Sequence, residues 1–163
     1  MAKNKEENTN VMRVLEQKKI AYTPHSYPHE EGIAVDGVTV AQSMGFDPAI
    51  VFKTLVARGA SKQYYVFDVP VAENLDLKKA AKAVGEKSIE MIHQKELLPL
   101  TGYVHGGCSP VGMKKLFPTV IDASAENLET MIVSAGKIGY QVELAPHDLA
   151  ALVRAKFADI IVE

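Results

Sequence analysis

Val51-Phe52-Lys53-Thr54-Leu55-Val56-Ala57, followed after a turn around residues 59–61 by Tyr64-Tyr65-Val66-Phe67-Asp68-Val69, is the passage whose reading decides the fold. Both runs are rich in β-branched, aromatic and apolar residues, the composition of strands. Their separation suits a hairpin. Pro70 is expected to end the second strand, because it has no amide to offer a ladder. Alternation puts Lys53 on one face with Val51 and Leu55, and Phe52, Thr54 and Val56 on the other. Working outward, Asp76 is placed to cap a helix that runs to Val84 and stops at Gly85. Its inner face reads as Leu77, Ala80, Ala81 and Val84. Upstream, Val11, Met12, Val14 and Leu15 have helical spacing within residues 9–19. Residues 22–28 read as extended, since Pro24 and Pro28 each restrict the residue before them, and a short helix ends at Gly45. Downstream, strands are expected at 88–92, 103–106, 119–122, 131–134, 141–144 and 158–162. A helix at 94–98 precedes Pro99, and another is capped by Asp148, with Leu149, Leu152 and Val153 facing inward. Helices and strands mix without regular βαβα alternation. This predicts a single α+β domain built on a mixed, strongly curled sheet with flanking helices.

The chain has 163 residues, 47% hydrophobic and 23% charged, which suits one domain with a full core and excludes a disordered chain. Residues 1–8 are expected as a flexible, charged tail and 9–163 as the folded domain. No run approaches the roughly 18–20 apolar residues of a membrane span. The polar start Met1-Ala2-Lys3-Asn4-Lys5 lacks the apolar segment of a secretion signal. Cys108 is the single cysteine, so no internal disulfide is available. A cytoplasmic protein is expected. The formal net charge of −2 does not by itself suggest a nucleic-acid binder. Lys78, Lys79, Lys82, Lys114, Lys115 and Lys137 read first as solvated surface.

Lys53 is the first candidate for chemistry. If both faces of its strand are covered, the ammonium must meet an anion, a carbonyl or a pocket; an edge-strand lysine that discourages aggregation is the competing reading. The second is Gly102-Tyr103-Val104-His105-Gly106-Gly107-Cys108-Ser109-Pro110-Val111-Gly112. Its paired glycines permit a sharp turn close to a ligand. Pro110 stiffens the far side, and amides between Gly106 and Pro110 are candidate donors to an oxyanion; a plain tight turn is the alternative. Ser134-Ala135-Gly136-Lys137-Ile138-Gly139 is a second small-residue turn. A Cys108–His105 dyad is disfavoured, since a spacing of three on a strand sends the side chains to opposite faces. His25 and His29 have the spacing of a zinc-binding pair, but Pro24 and Pro28 oppose the helix that pair requires. No Gly-x-Ser-x-Gly motif occurs, and no metal or cofactor is expected.

The strand from Val51 to Leu55 resembles the lysine-bearing strand of the YbaK/EbsC family, which includes the editing domain inserted in bacterial prolyl-tRNA synthetases. The likeness continues through Asp76-Leu77-Lys78-Lys79-Ala80-Ala81-Lys82-Ala83-Val84-Gly85, Thr101-Gly102-Tyr103 and Gly106-Gly107-x-Ser109-Pro110-x-Gly112. It extends through Pro118-Thr119-x-Ile121-Asp122-Ala123, Ser134-x-Gly136-Lys137-x-Gly139 and Lys156-Phe157-Ala158-Asp159-Ile160. The resemblance is strongest to the free-standing branch, the Cys-tRNA(Pro) deacylases. It implies a barrel-like mixed sheet with a cleft for the aminoacylated 3′ end of tRNA. Lys53 is then implied to hold the terminal adenosine and ester region, with Thr54 beside it and Tyr27 lining the cleft. Gly106 and Pro110 are implied to frame the loop whose backbone, through Gly107, Cys108 and Ser109, grips the aminoacyl group. Ser134 and Gly136 are implied to form the second loop of the site. Gln141, in the same region, stands where relatives commonly carry aspartate. Ala135 stands where they carry glycine, and Asp36 where they are often aromatic.

An aminoacyl ester is already activated, so a site that orients it and polarises its carbonyl suffices without a triad. Cysteine and proline are close in size, and a second site sensitive to the thiol supplies the missing sieve. The resemblance implies attack by the substrate's own thiol, with a loop-held water as the conventional alternative. The expected function is release of cysteine from Cys-tRNA(Pro), or from Cys-tRNA(Cys), with prolyl-tRNA synthetase as a candidate partner. The other readings are deacylation of another mischarged tRNA such as Ala-tRNA(Pro), and a tRNA- or nucleotide-binding module without catalysis.

Overall fold

The computed structural model describes residues 8–163; the tail expected at 1–8 therefore lies, but for Asn8, outside the described residues. Thr9 caps α1 (Asn10–Gln17) through its hydroxyl, which accepts the Met12 amide at 3.2 Å, and Val11, Met12 and Leu15 turn inward. β1 (Thr23–Ser26) follows in the proline-containing segment. Asp36 caps α2 (Gly37–Met44), which ends at Gly45 with φ +76°. The hairpin forms as its sequence predicts: β2 (Phe52–Gly59) pairs antiparallel with β3 (Tyr64–Pro70), and Thr54 stands opposite Asp68. Pro70 belongs to β3, since the neighbouring strand on its other side pairs only with residues 66–68 and asks no amide of it. α3 (Leu77–Val84) runs from its Asp76 cap to Gly85. It rests on Ala80 and Ala81 and leaves Leu77 41% exposed at the rim, a departure from the expected inner face.

The remaining elements are β4 (Ile89–Met91), α4 (Gln94–Thr101), β5 (Thr119–Asp122), β6 (Met131–Ser134), β7 (Tyr140–Leu144), α5 (Pro146–Val153) and β8 (Lys156–Ala158). Three of them, and a turn at 103–106, correct local expectations. α4 continues through Pro99: the missing proline amide costs only the bond to the Lys95 carbonyl, and the last turn closes as the Thr101 hydroxyl and the Gly102 amide reach the carbonyls of Leu97 and Leu98 at 2.8 Å each. The strand expected at 103–106 is a turn closed by the Gly107 amide on the Val104 carbonyl, with Gly106 at φ +89°. Ala145, not Asp148, is the cap of α5; Pro146 opens the helix, and Asp148 lies in its first turn, where a carboxylate suits the helix dipole. The last strand is Lys156–Ala158, not 158–162, since the Asp122 carboxylate takes the Ile160 amide at 3.0 Å and turns the chain away.

The strands form a mixed five-stranded sheet in the order β4-β2-β3-β5-β8 and an antiparallel three-stranded sheet in the order β1-β7-β6. Among the described residues the expected barrel-like sheet is not closed; one bridge, Val51 to Ile132, joins the two sheets. Between them Val11 and Leu15 of α1, Phe52 and Val56 of β2, Val133 and Val142 of the second sheet and Leu149 of α5 form one apolar cluster. On the other face of the larger sheet Ala57, Tyr65, Phe67 and Val69 pack beneath Ala80 and Ala81 of α3. α2 covers the bridge through Ala41, against Val51 and Ile132.

Candidate functional site

β4 covers only residues 57–59 of β2, so the first half of β2 is an open edge facing the smaller sheet. A cleft of about 550 Å³ occupies this gap, and Phe52, Lys53, Thr54 and Leu55 all reach it. The two readings of Lys53 therefore coincide: it is an edge lysine that lines a pocket. Burial holds its ammonium below the ordinary lysine range, opposed by the carboxylates of Asp36 and Glu73.

Tyr27 forms part of the opposite wall, positioned by its amide on the Gly139 carbonyl at 2.9 Å. Ser134, Tyr140 and Gln141 contribute from β6 and β7, and His105, Gly106 and Cys108 from the glycine loop. The two small-residue loops are packed together. A Cβ on Gly107 would come within 3.0–3.2 Å of the Lys137–Ile138 backbone, and one on Gly106 within 2.7 Å of the Ala34 side chain. Only glycine admits this approach. The Gly107 amide is spent on Val104, while the amides of His105, Gly106 and Cys108 belong to cleft-lining residues of the loop. Gly107, Ser109, Pro110 and Gly136 stand behind the lining. Ser109 is fully buried and accepts the Val111 amide at 3.2 Å, while the Gly136 amide donates to the Ser134 hydroxyl at 3.0 Å. These four shape the loops that carry the lining residues.

Cys108 and His105 both belong to the cleft lining, and a turn replaces the strand assumed for them; Cys108 packs into the buried apolar cluster and His105 is exposed. Burial pushes the Cys108 thiol up to about 12, with the nearby Asp68 carboxyl adding to it, and a protonated thiol is a poor nucleophile. Gln141 is 7% exposed, and its Oε1 has no hydrogen-bond partner among the described residues. His25 and His29 are occupied elsewhere. His25 Nε2 lies 2.8 Å from Glu143 Oε1, and His29 Nδ1 lies 2.8 Å from the Tyr27 carbonyl.

Sequence reasoning passed over Asp68. It is 0% exposed; the Thr54 hydroxyl donates to its Oδ1 at 2.6 Å, and Oδ2 has no partner among the described residues. Burial pushes its carboxyl up to about 7, against the opposing Thr54 hydrogen bond. The signal was present: one carboxylate in an apolar strand, opposite the residue that follows Lys53. Asp36, His105 and Tyr140 also line the cleft, but only the fold brings them there. The lining offers one cation, three loop amides and the hydroxyls of Ser134 and Tyr27, a donor-rich set for a ligand carrying oxyanions or a polarised carbonyl.

A family model described as an aminoacyl-tRNA editing domain matches residues 34–152. A protein of Enterococcus faecalis named as a Cys-tRNA(Pro)/Cys-tRNA(Cys) deacylase, EbsC, is 45% identical over 161 residues, covering 98% of each chain. A proline–tRNA ligase of Shouchella clausii is 28% identical over 100 residues, which span 61% of this chain and 17% of that enzyme. A crystal structure described as that of a trans-editing enzyme for prolyl-tRNA synthetase has a TM-score of 0.79 at 26% identity, covering 94% of this chain and 95% of the other.

Proposed function

The chain belongs to the aminoacyl-tRNA editing domain family, and we propose that it is a trans-editing deacylase that releases cysteine from Cys-tRNA(Pro) or Cys-tRNA(Cys). The observation that carries this reading is the near full-length identity to the EbsC relative, joined to a donor-rich cleft at an open sheet edge. The aminoacylated 3′ end enters between the sheets. Lys53 meets the terminal nucleotide and ester region with its ammonium, partly freed of water, where its field acts strongly. The amides of Gly106 and Cys108 receive charge developing on the ester carbonyl, as oxyanion donors do. Tyr27, Ser134 and Gln141 bound the aminoacyl side. With Gln141 in place of a carboxylate, the amino group is held by a neutral acceptor, so recognition leans on shape and on the thiol.

Attack by the substrate's own thiol suits this site: the Cys108 thiol is held protonated, and an activated ester needs only orientation and a nucleophile. Prolyl-tRNA synthetase is a fitting partner, since the chain's net charge of −2 offers little long-range attraction for tRNA; the setting is the cytoplasm, where translation runs. The test is a panel of charged tRNAs: Cys-tRNA(Pro), Cys-tRNA(Cys) and Ala-tRNA(Pro). The wild type should release cysteine fastest, and Lys53→Ala should slow release by roughly 100-fold, the scale of a lost oxyanion-stabilising group. Equal rates for the two proteins remove the role of Lys53, faster release of alanine reassigns the substrate, and tRNA binding without release leaves a binding module.

A further inference from the structure

We propose that Thr54 and Asp68 form a proton relay that accepts the proton of the attacking group during ester cleavage. The inference rests on the deacylase reading and supplies the base that reading lacks. Thr54 follows Lys53 and lines the cleft, yet its hydroxyl proton is directed inward to Asp68 Oδ1, 2.6 Å away. A hydroxyl that donates inward keeps its lone pairs for a donor on the cleft side. Behind it, Asp68 is 0% exposed and its Oδ2 has no partner among the described residues. Burying a carboxyl group in this way is costly, and an apolar β-branched residue would fill a strand position without that cost. The groups set against it are neutral: Thr54 on β2, Ile121 in register on β5, and the Cys108 thiol from the glycine loop. Burial pushes the carboxyl up to about 7, so acid and base forms coexist near neutral pH, where a general base is most effective. Cys108 keeps its own proton until about 12 and does not compete.

In the step, the substrate thiol passes its proton to Thr54 Oγ1 as the Thr54 proton moves to Asp68 Oδ1. The C–S bond forms and the ester C–O bond breaks. The departing 3′ oxygen takes the proton back along the same path. Asp68 returns to carboxylate, and the products are the cysteine thiolactone and free tRNA. Thr54 touches the substrate; Asp68 acts through it.

The test is single-turnover deacylation of Cys-tRNA(Pro) from pH 5.5 to 9 by the wild type, Asp68→Asn, Thr54→Val and Thr54→Ser. The wild-type rate should rise with pH and level off around a midpoint near 7. Asp68→Asn, which keeps an acceptor for Thr54, should lose about 100-fold in kcat with little change in KM, the lower end of general-base effects, and should lose the inflection. Thr54→Val should behave the same way, while Thr54→Ser should restore both rate and inflection even if Asp68→Asn folds poorly. A wild-type rate in Asp68→Asn, or an inflection that survives in both Asp68→Asn and Thr54→Val, overturns the relay while leaving the deacylase intact. A wild type that releases no amino acid from any charged tRNA overturns both.

Discussion

The carboxyl groups of Asp68 in the five-stranded sheet and Glu143 in the three-stranded sheet are held in opposite ways. Glu143 accepts a hydrogen bond from the Thr130 hydroxyl, faces His25 Nε2 at 2.8 Å, and is 24% exposed. Those two partners hold it below the usual carboxylate range, the Thr130 hydrogen bond contributing most. Asp68 has one donor among the described residues and is sealed from solvent, and burial drives it the other way, up to about 7. Both strands tolerate a carboxylate, and the partners decide its charge. Where the fold supplies partners, the group behaves as a structural clasp; where it withholds them beside a cleft, the group is left available to gain and lose a proton.

This contrast has opposite signatures in stability against pH. Asp68 has a raised folded value, so its contribution is present below the unfolded value of 3.8 and is lost as pH rises through about 7. Replacing it by the non-titrating Asn should therefore favour the variant increasingly as pH rises. The stability difference between the two proteins should move by about 3 kcal/mol between pH 5 and 8, measured by urea denaturation. Parallel curves for the two proteins would break the contrast at its root. Next in size, Thr54→Val removes the hydroxyl donor to Asp68 and should cost about 1–2 kcal/mol at pH 8, where the carboxylate is charged, and less at pH 5. Glu143→Gln should cost roughly 0.5–1 kcal/mol at neutral pH, the worth of a partly exposed ion pair. Because the folded value of Glu143 lies below its ordinary 4.5, that cost should fade as pH falls through the acid range; a cost that grew toward low pH would invert the assignment. The smallest effect concerns Cys108. With its thiol held up to about 12, alkylation at pH 8 should be negligible in the native protein and should appear only with unfolding, read by mass spectrometry.

Much of this architecture was legible locally. Asp76, Gly45 and Gly85 mark helix ends because capping involves neighbours in sequence, and all three occupy those positions. The hairpin was legible for the same reason, but its register, which sets Thr54 opposite Asp68, came only with the structure. The failures occurred where a distant group outweighed local preference. Asp122 diverts the last strand by taking the Ile160 amide, 38 residues along the chain; α4 passes Pro99 by local bonds instead, from Thr101 and Gly102 to the Leu97 and Leu98 carbonyls. The candidate site divides along the same line. Lys53, Thr54, Tyr27, Gly106, Cys108, Ser134 and Gln141 line the cleft, whereas Gly107, Ser109, Pro110 and Gly136 support it from behind, a distinction that depends on which way each loop faces.

The sequence by itself determined most of the local elements, the β2–β3 hairpin and, through its motif blocks, the family. Each of these depends on neighbouring residues or on residue identity alone. Only the tertiary structure decided that the first half of β2 is an open edge, because this depends on the pairing with β4 ending at Ala57 and on the smaller sheet meeting the chain at Val51, just before β2. It also decided the ionisation of Asp68 and Glu143. A carboxylate's charge reflects the water and donors within a few ångströms of it, and the fold draws those from segments far apart in the chain.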